Sequence, residues 1–167
     1  MKSAGLMLAF ALPSLQPKVL APEYTTIHME ITVNKSAAES WAKVGGYCDI
    51  SKWLTAGRTF PCEVTSGNGE MGTVRSLNNG AIIEILTAKT DLSYGYTQPV
   101  KEGQFYNLYH GYLESKPITA TTSKLIYTLL YDASNLADQP AKDADAARRR
   151  KQFEAALLNM KTIAEAP

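Results

Sequence analysis

The chain has little of what metal sites, nucleic-acid grooves and membrane spans are made from. There are two cysteines and two histidines in 167 residues. Neither cysteine has the C-x-x-C spacing of a zinc or thioredoxin-like site, and the histidines form no ligand cluster with them. There is no excess of charge of either sign: 17 Lys+Arg stand against 16 Asp+Glu, a formal net charge of +1. Bulk charge of that size excludes a strong nucleic-acid field. No apolar run approaches the roughly 20 residues needed to span a bilayer. No internal repeat, low-complexity linker, G-x-S-x-G elbow or Ser-His-Asp layout is visible. What is present is ordinary globular composition, 45% hydrophobic and 20% charged. The length suits one domain, able to bury roughly two-thirds of its unfolded surface.

The N-terminus carries Lys2, an apolar run from Ala4 to Leu12, and then Pro13. This is the outline of a secretory signal peptide; the alternative is a floppy apolar tail on a cytosolic protein. Residues 1–21 are therefore read as a signal peptide or disordered leader, and residues 22–167 as a single domain. Removing the leader takes away Lys2 and Lys18 and no acid, leaving 15 basic residues against 16 acidic ones. In an exported chain Cys48 and Cys62 can form a disulfide; in a cytosolic chain they would stay free as small buried hydrophobes. The leader favours the bridge. It would close a loop of about 15 residues, worth roughly 3 kcal/mol in the chain-entropy model.

Residues 27–33 alternate with period two and read as a strand. Ser36-Ala-Ala-Glu39 is a capping box opening a short helix with Ala37, Trp41 and Val44 on one face, stopped at Gly45-Gly46. Asp49 to Leu54 reads as a second helical turn. Strands follow at Cys62–Thr65, Thr73–Leu77, Ala81–Ala88, Ser93–Gln98, Tyr106–Ser115 and Lys124–Tyr131. Asn79-Gly80 signals a type I′ hairpin. Lys142 to Ala164 has the apolar spacing of a helix at Phe153, Ala156, Leu157, Met160, Ile163 and Ala164. Strands followed by a long helix predict an α+β domain with an antiparallel sheet.

This order and spacing resemble the START-like (SRPBCC) superfamily, and most closely its polyketide cyclase/dehydrase-type branch. The likeness covers most of residues 27–165. It rests on Ser36-Ala-Ala-Glu-Ser-Trp41, Tyr47-Cys-Asp-Ile-Ser-Lys-Trp53, Gly72-Thr-Val-Arg75, Glu84-Ile-Leu86, Ser93-Tyr-Gly-Tyr96 and Tyr109-His-Gly-Tyr-Leu113. The resemblance implies a helix-grip fold, a seven-stranded bent sheet wrapped around the C-terminal helix. It also implies a cavity for a small hydrophobic molecule, such as a lipid, polyketide or hormone. Branch members with a comparable leader are exported.

Strand parity then selects faces. Leu125, Tyr127, Leu129 and Tyr131 share one face. Asn107, Tyr109, Gly111 and Leu113 share another, and Tyr94 pairs with Tyr96. The implied cavity would be lined by Trp53, Arg75, Glu84, Tyr94, Tyr96, Tyr109, Tyr127, Tyr131, Phe153 and Leu157. Tyrosines supply apolar bodies with hydroxyl tips, which suits an amphipathic ligand, although strand aromatics also simply fill cores. A two-residue turn at Asn79-Gly80 places Arg75 directly opposite Glu84. On the concave face the pair could orient a ligand carboxylate or carbonyl; on the convex face it would be a surface ion pair of little energetic weight. Both faces of the hairpin are mixed, so parity leaves the choice open.

Other motifs carry less. Gly67-Asn-Gly-Glu-Met-Gly72 matches G-x-G-x-x-G, but a strand follows it where a dinucleotide site needs a helix. Arg148-Arg-Arg-Lys151 reads as a solvated helix face. Asn34-Lys-Ser36 is a glycosylation sequon by pattern, at a helix start where Ser36 is engaged in capping. No cofactor or metal is implied, and nothing specifies an oligomeric state. The leading expectation is an exported protein that binds a small hydrophobic or amphipathic molecule. A cyclase/dehydratase-like enzyme is the alternative, using Glu84, Arg75 and the cavity tyrosines for proton transfer or carbonyl polarisation. A solid-cored interaction protein is the third reading.

Overall fold

Ten elements follow one another in a computed structural model that describes residues 21–55 and 57–167. They are β1 (Tyr24–Val33), α1 (Ala37–Val44), α2 (Ile50–Trp53), β2 (Cys62–Ser66), β3 (Val74–Leu77), β4 (Ile82–Thr90), β5 (Ser93–Thr97), β6 (His110–Pro117), β7 (Ser123–Asp132) and α3 (Gln139–Glu165). The signal-peptide reading falls almost wholly on residues 1–20, which lie outside the described residues. Among the described residues no helix is long and apolar enough to cross a membrane.

All seven strands form one antiparallel sheet in the order β1-β7-β6-β5-β4-β3-β2. Successive strands are neighbours from β2 to β7. A long crossover carries the chain from β1 at one edge through α1 and α2 to β2 at the other. Register shifts at Val64/Ser66 and Leu86/Ala88 interrupt the ladders, and bulges of this kind bend a sheet. On the concave side α3 packs against β1, α1, α2 and β7. The core lies between them and includes Leu113, Leu125, Tyr127, Leu129, Leu157 and Met160. Polar groups on α3 also cover the β1 edge: Arg150 donates to the His28 carbonyl and Lys161 to that of Thr32.

The capping box forms as the sequence predicts, with the Ser36 hydroxyl taking the Glu39 N–H and Glu39 reaching back to the Ser36 N–H. The hairpin register is also the predicted one, Leu77 opposite Ile82 and Arg75 opposite Glu84. Its turn is more strained than a simple two-residue loop. Asn78, Asn79 and Gly80 all have positive φ, and the Asn78 N–H leaves the hairpin to meet the Pro61 carbonyl.

Two predicted boundaries are corrected. The strand expected to start at Tyr106 starts at His110. Leu108 turns into the left-handed region at φ 47°, and neighbouring carbonyls bond elsewhere: Asn107 to the Asp132 N–H, Tyr109 to that of Gln98. The terminal helix starts at Gln139 rather than Lys142 because Asp138 caps it and Pro140 fits its first turn. Cys48 and Cys62 form a disulfide that ties the α1–α2 corner to β2.

Candidate functional site

The cross-strand pair predicted at Arg75 and Glu84 faces inward. Arg75 is fully buried and Glu84 is 3% exposed. Both Nε and Nη2 of Arg75 donate to one carboxylate oxygen, Glu84 Oε2, at 2.8 and 2.6 Å. The remaining terminal nitrogen, Nη1, donates to the Tyr47 carbonyl. Three rings surround the guanidinium, with centroids at 4.1 Å (Tyr47), 4.9 Å (Tyr96) and 5.6 Å (Tyr94). Such contacts compensate a buried cation for lost water. Burial pushes the Glu84 carboxyl above the ordinary carboxylate range, against the pull of Arg75. Burial works against the Arg75 charge, but the Glu84 carboxylate beside it raises the pKa above the ordinary value, so the guanidinium stays charged.

A cavity of about 260 Å³ opens beside this pair. Ile50, Leu54 and Phe60 wall one end. Leu77, Ile82, Glu84, Tyr96 and Gln98 form the sheet side, and Asn107 and Tyr109 come from the β5–β6 connection. Arg149, Gln152 and Phe153 close it from α3. A second cavity of about 220 Å³ is lined by Trp41, Tyr47, Leu86 and Tyr94 among others, beside Gly45 and Gly46. Glu84 and Tyr96 face the first space and Tyr47 and Tyr94 the second. The Arg75 cage stands between them.

Of the side chains expected around a cavity, Glu84, Tyr96, Tyr109 and Phe153 line the first and Tyr94 lines the second. Arg75, Trp53, Tyr127, Tyr131 and Leu157 lie in the packed core instead. Trp53 donates to the Val44 carbonyl and stacks edge-on to Tyr127, whose ring packs 4.7 Å from Phe153. The Tyr127 hydroxyl is engaged by that of Tyr96 at 2.8 Å. Gly111 makes this reach possible: a Cβ there would lie 2.3 Å from the Tyr96 ring. Burial pushes the phenols of Tyr96, Tyr109 and Tyr127 upward, so they stay protonated at neutral pH. Among the ionisable side chains on the first cavity's wall, Glu84 is the anion.

The reading of Arg148–Lys151 as a solvated face fails at Arg149. Its side chain is 20% exposed, pairs with Asp145 at 2.7 Å, and lies over the Tyr131 ring at 4.2 Å and the Tyr109 ring at 5.5 Å. The signal was available: Arg149 stands four residues before Phe153, on the buried stripe of α3. Gln98 likewise continues the Tyr94–Tyr96 alternation onto the cavity wall, and its Nε2 donates to Glu84 Oε1 at 3.2 Å. Among the described residues no group of three His, Cys, Asp or Glu side chains stands together as a metal site.

No protein-family model and no curated protein sequence matches the chain. Solved structures do. Ara h 8.0201 is 17% identical with a TM-score of 0.61, over 85% of this chain and 98% of that one. A Nitrosospira multiformis protein is 21% identical with a TM-score of 0.61, over 83% and 94%. A Thermobifida fusca protein is 18% identical with a TM-score of 0.63, over 81% and 90%. At these identities the likeness is one of fold. The chain shares a helix-grip fold, a seven-stranded sheet gripping a long C-terminal helix, with these proteins over nearly their full length.

Proposed function

We propose that this protein binds a small amphipathic molecule in the cavity between the sheet and α3, and that it works outside the cytoplasm. The observation that carries the binding reading is the cavity itself. Its wall combines the rings of Tyr96, Tyr109 and Phe153 with the polar ends of Glu84, Gln98, Asn107, Arg149 and Gln152. A concave space whose apolar and aromatic walls carry placed polar groups is a usual form of a small-molecule site, and here the polar groups make up an unusually large share of the wall. The volume is slightly below the roughly 300–1,000 Å³ of pockets for drug-sized ligands, which favours a ligand of one or two rings over a long-chain lipid. The Cys48–Cys62 bridge and the apolar N-terminal run support an oxidising, extracytoplasmic setting.

Native mass spectrometry of protein purified from its own host tests this reading. The expected result is one small molecule bound per chain, released on denaturation, and absent from an Ile82→Trp variant whose added ring occupies the cavity. A clean apo mass, with no rise in melting temperature across a panel of small ring compounds, overturns it. Saturating ligand should raise stability by about 2.7 kcal/mol at a hundredfold excess over Kd.

A further inference from the structure

The two oxygens of Glu84 are not equivalent. Oε2 is taken twice by Arg75, which lies off the cavity wall; Oε1 has one partner, Gln98 Nε2 at 3.2 Å, and Gln98 is itself on that wall. A carboxylate oxygen accepts about two hydrogen bonds, so Oε1 keeps unfilled acceptor capacity on the side away from Arg75. Arg75 does not line the cavity: its Nε and Nη2 each donate to Glu84, its Nη1 donates to Tyr47, and tyrosine rings cover its face.

Charge balance narrows the partner. Arg75 is matched by Glu84 and Arg149 by Asp145. A ligand carboxylate beside Oε1 would set like charges together in a poorly solvated space, and a ligand ammonium would be a second cation for an anion already paired. A neutral donor completes the site without either cost. The Tyr96 hydroxyl is already engaged with Tyr127, which leaves Glu84 as the strong acceptor at this end.

We infer that the ligand is a neutral hydroxylated ring compound that donates its hydroxyl to Glu84 Oε1 and packs its ring body among Tyr96, Tyr109 and Phe153. This differs from the sequence-based reading in which the pair, if on the concave face, could orient a ligand carboxylate or carbonyl. It rests on the binding reading above and specifies the head group for that same cavity.

Calorimetric titration of the purified protein at neutral pH with three probes of one ring system tests it: 2-naphthol, 2-methoxynaphthalene and 2-naphthoate. The ether keeps the rings and removes the donor, and the acid replaces it with an anion. The naphthol is expected to bind at least about tenfold tighter than the ether, because hydrogen bonds to charged groups are among the stronger ones. The naphthoate should bind more weakly than the naphthol. In Glu84→Gln the single amide oxygen should stay with Arg75 and turn the NH₂ toward the ligand, so the order of naphthol and ether inverts. The unmodified protein decides the matter even where that variant does not fold. Equal binding of naphthol and ether, or tightest binding of the naphthoate, overturns this inference and leaves the cavity reading standing. Absence of binding by all three overturns the cavity reading, and this inference with it.

Discussion

Arg75 is among the largest fully buried side chains of the protein, and its environment shows what burying a guanidinium requires. Removing one member of such a pair strands a charge and costs about 3–5 kcal/mol, whereas replacing both by apolar groups is often close to neutral. Arg75→Met and Glu84→Gln should each lower the unfolding free energy by that order in urea titrations. The double variant Arg75→Met/Glu84→Met should recover most of the loss. A double variant as unstable as the singles would show that the pair itself supplies net stability. Asp132 illustrates a different balance. Burial raises its carboxyl, but N–H groups of Glu23 and Ser134, each 2.9 Å from Oδ1, together with Lys142 hold it below its ordinary 3.8. A lowered folded-state pKa means stability that is present above 3.8 and lost as pH falls through the lowered value. Asp132→Asn should therefore melt below the unmodified protein near neutral pH, and the gap should close on acidification. A gap that is constant with pH would contradict this account.

At the scale of elements, the β3–β4 hairpin and the α1–α2 corner hold the site together. Asn79-Gly80 sets the register that makes Arg75 and Glu84 partners, and the disulfide ties Cys48 to Cys62 on β2 and so anchors the preceding residue, Tyr47, whose carbonyl and ring both engage Arg75. The bridge spans a sequence separation of 14 residues. Its loss should cost about 3 kcal/mol by loop closure, read as a lower unfolding midpoint in reductant or in Cys48→Ser/Cys62→Ser. Equal midpoints for the oxidised and reduced forms would mean that the corner is held without it. The hairpin register and the capping box were legible in the sequence because each depends on residues within a few positions of one another. The start of β6 was not. Tyr106 to Tyr109 has the composition of a strand, but the Asn107 carbonyl meets Asp132 and Leu108 reverses the backbone, and a contact across that distance leaves no local trace.

Across the whole molecule, the bent sheet closes on α3 along one side and leaves space where α2, the β5–β6 connection and the middle of α3 meet. The wall of that space draws on residues from Ile50 to Phe153. Strand parity identified inward faces correctly for β7, where Leu125, Tyr127, Leu129 and Tyr131 are all buried. It could not separate inward side chains that meet other side chains from those that meet a void. Tyr127 and Tyr96 share a hydroxyl contact, yet Tyr96 lines the cavity and Tyr127 does not. Arg149 shows the converse, since a run of basic residues reads as solvated until a tyrosine from another element is set beneath one of them.

The sequence by itself determined the element order, the antiparallel α+β class, the hairpin register and the capped start of α1. Each follows from backbone preferences and side-chain periodicity, which act over a few residues and survive in a linear pattern. Only the tertiary structure decided which side of the β3–β4 hairpin is concave. It also decided that Glu84 rather than Arg75 meets the cavity, and that Arg149 joins the wall. Those outcomes depend on sheet curvature and on which distant side chains fill the space against it. Alternation in one strand gives two faces of equal standing, and packing from elsewhere in the chain selects between them.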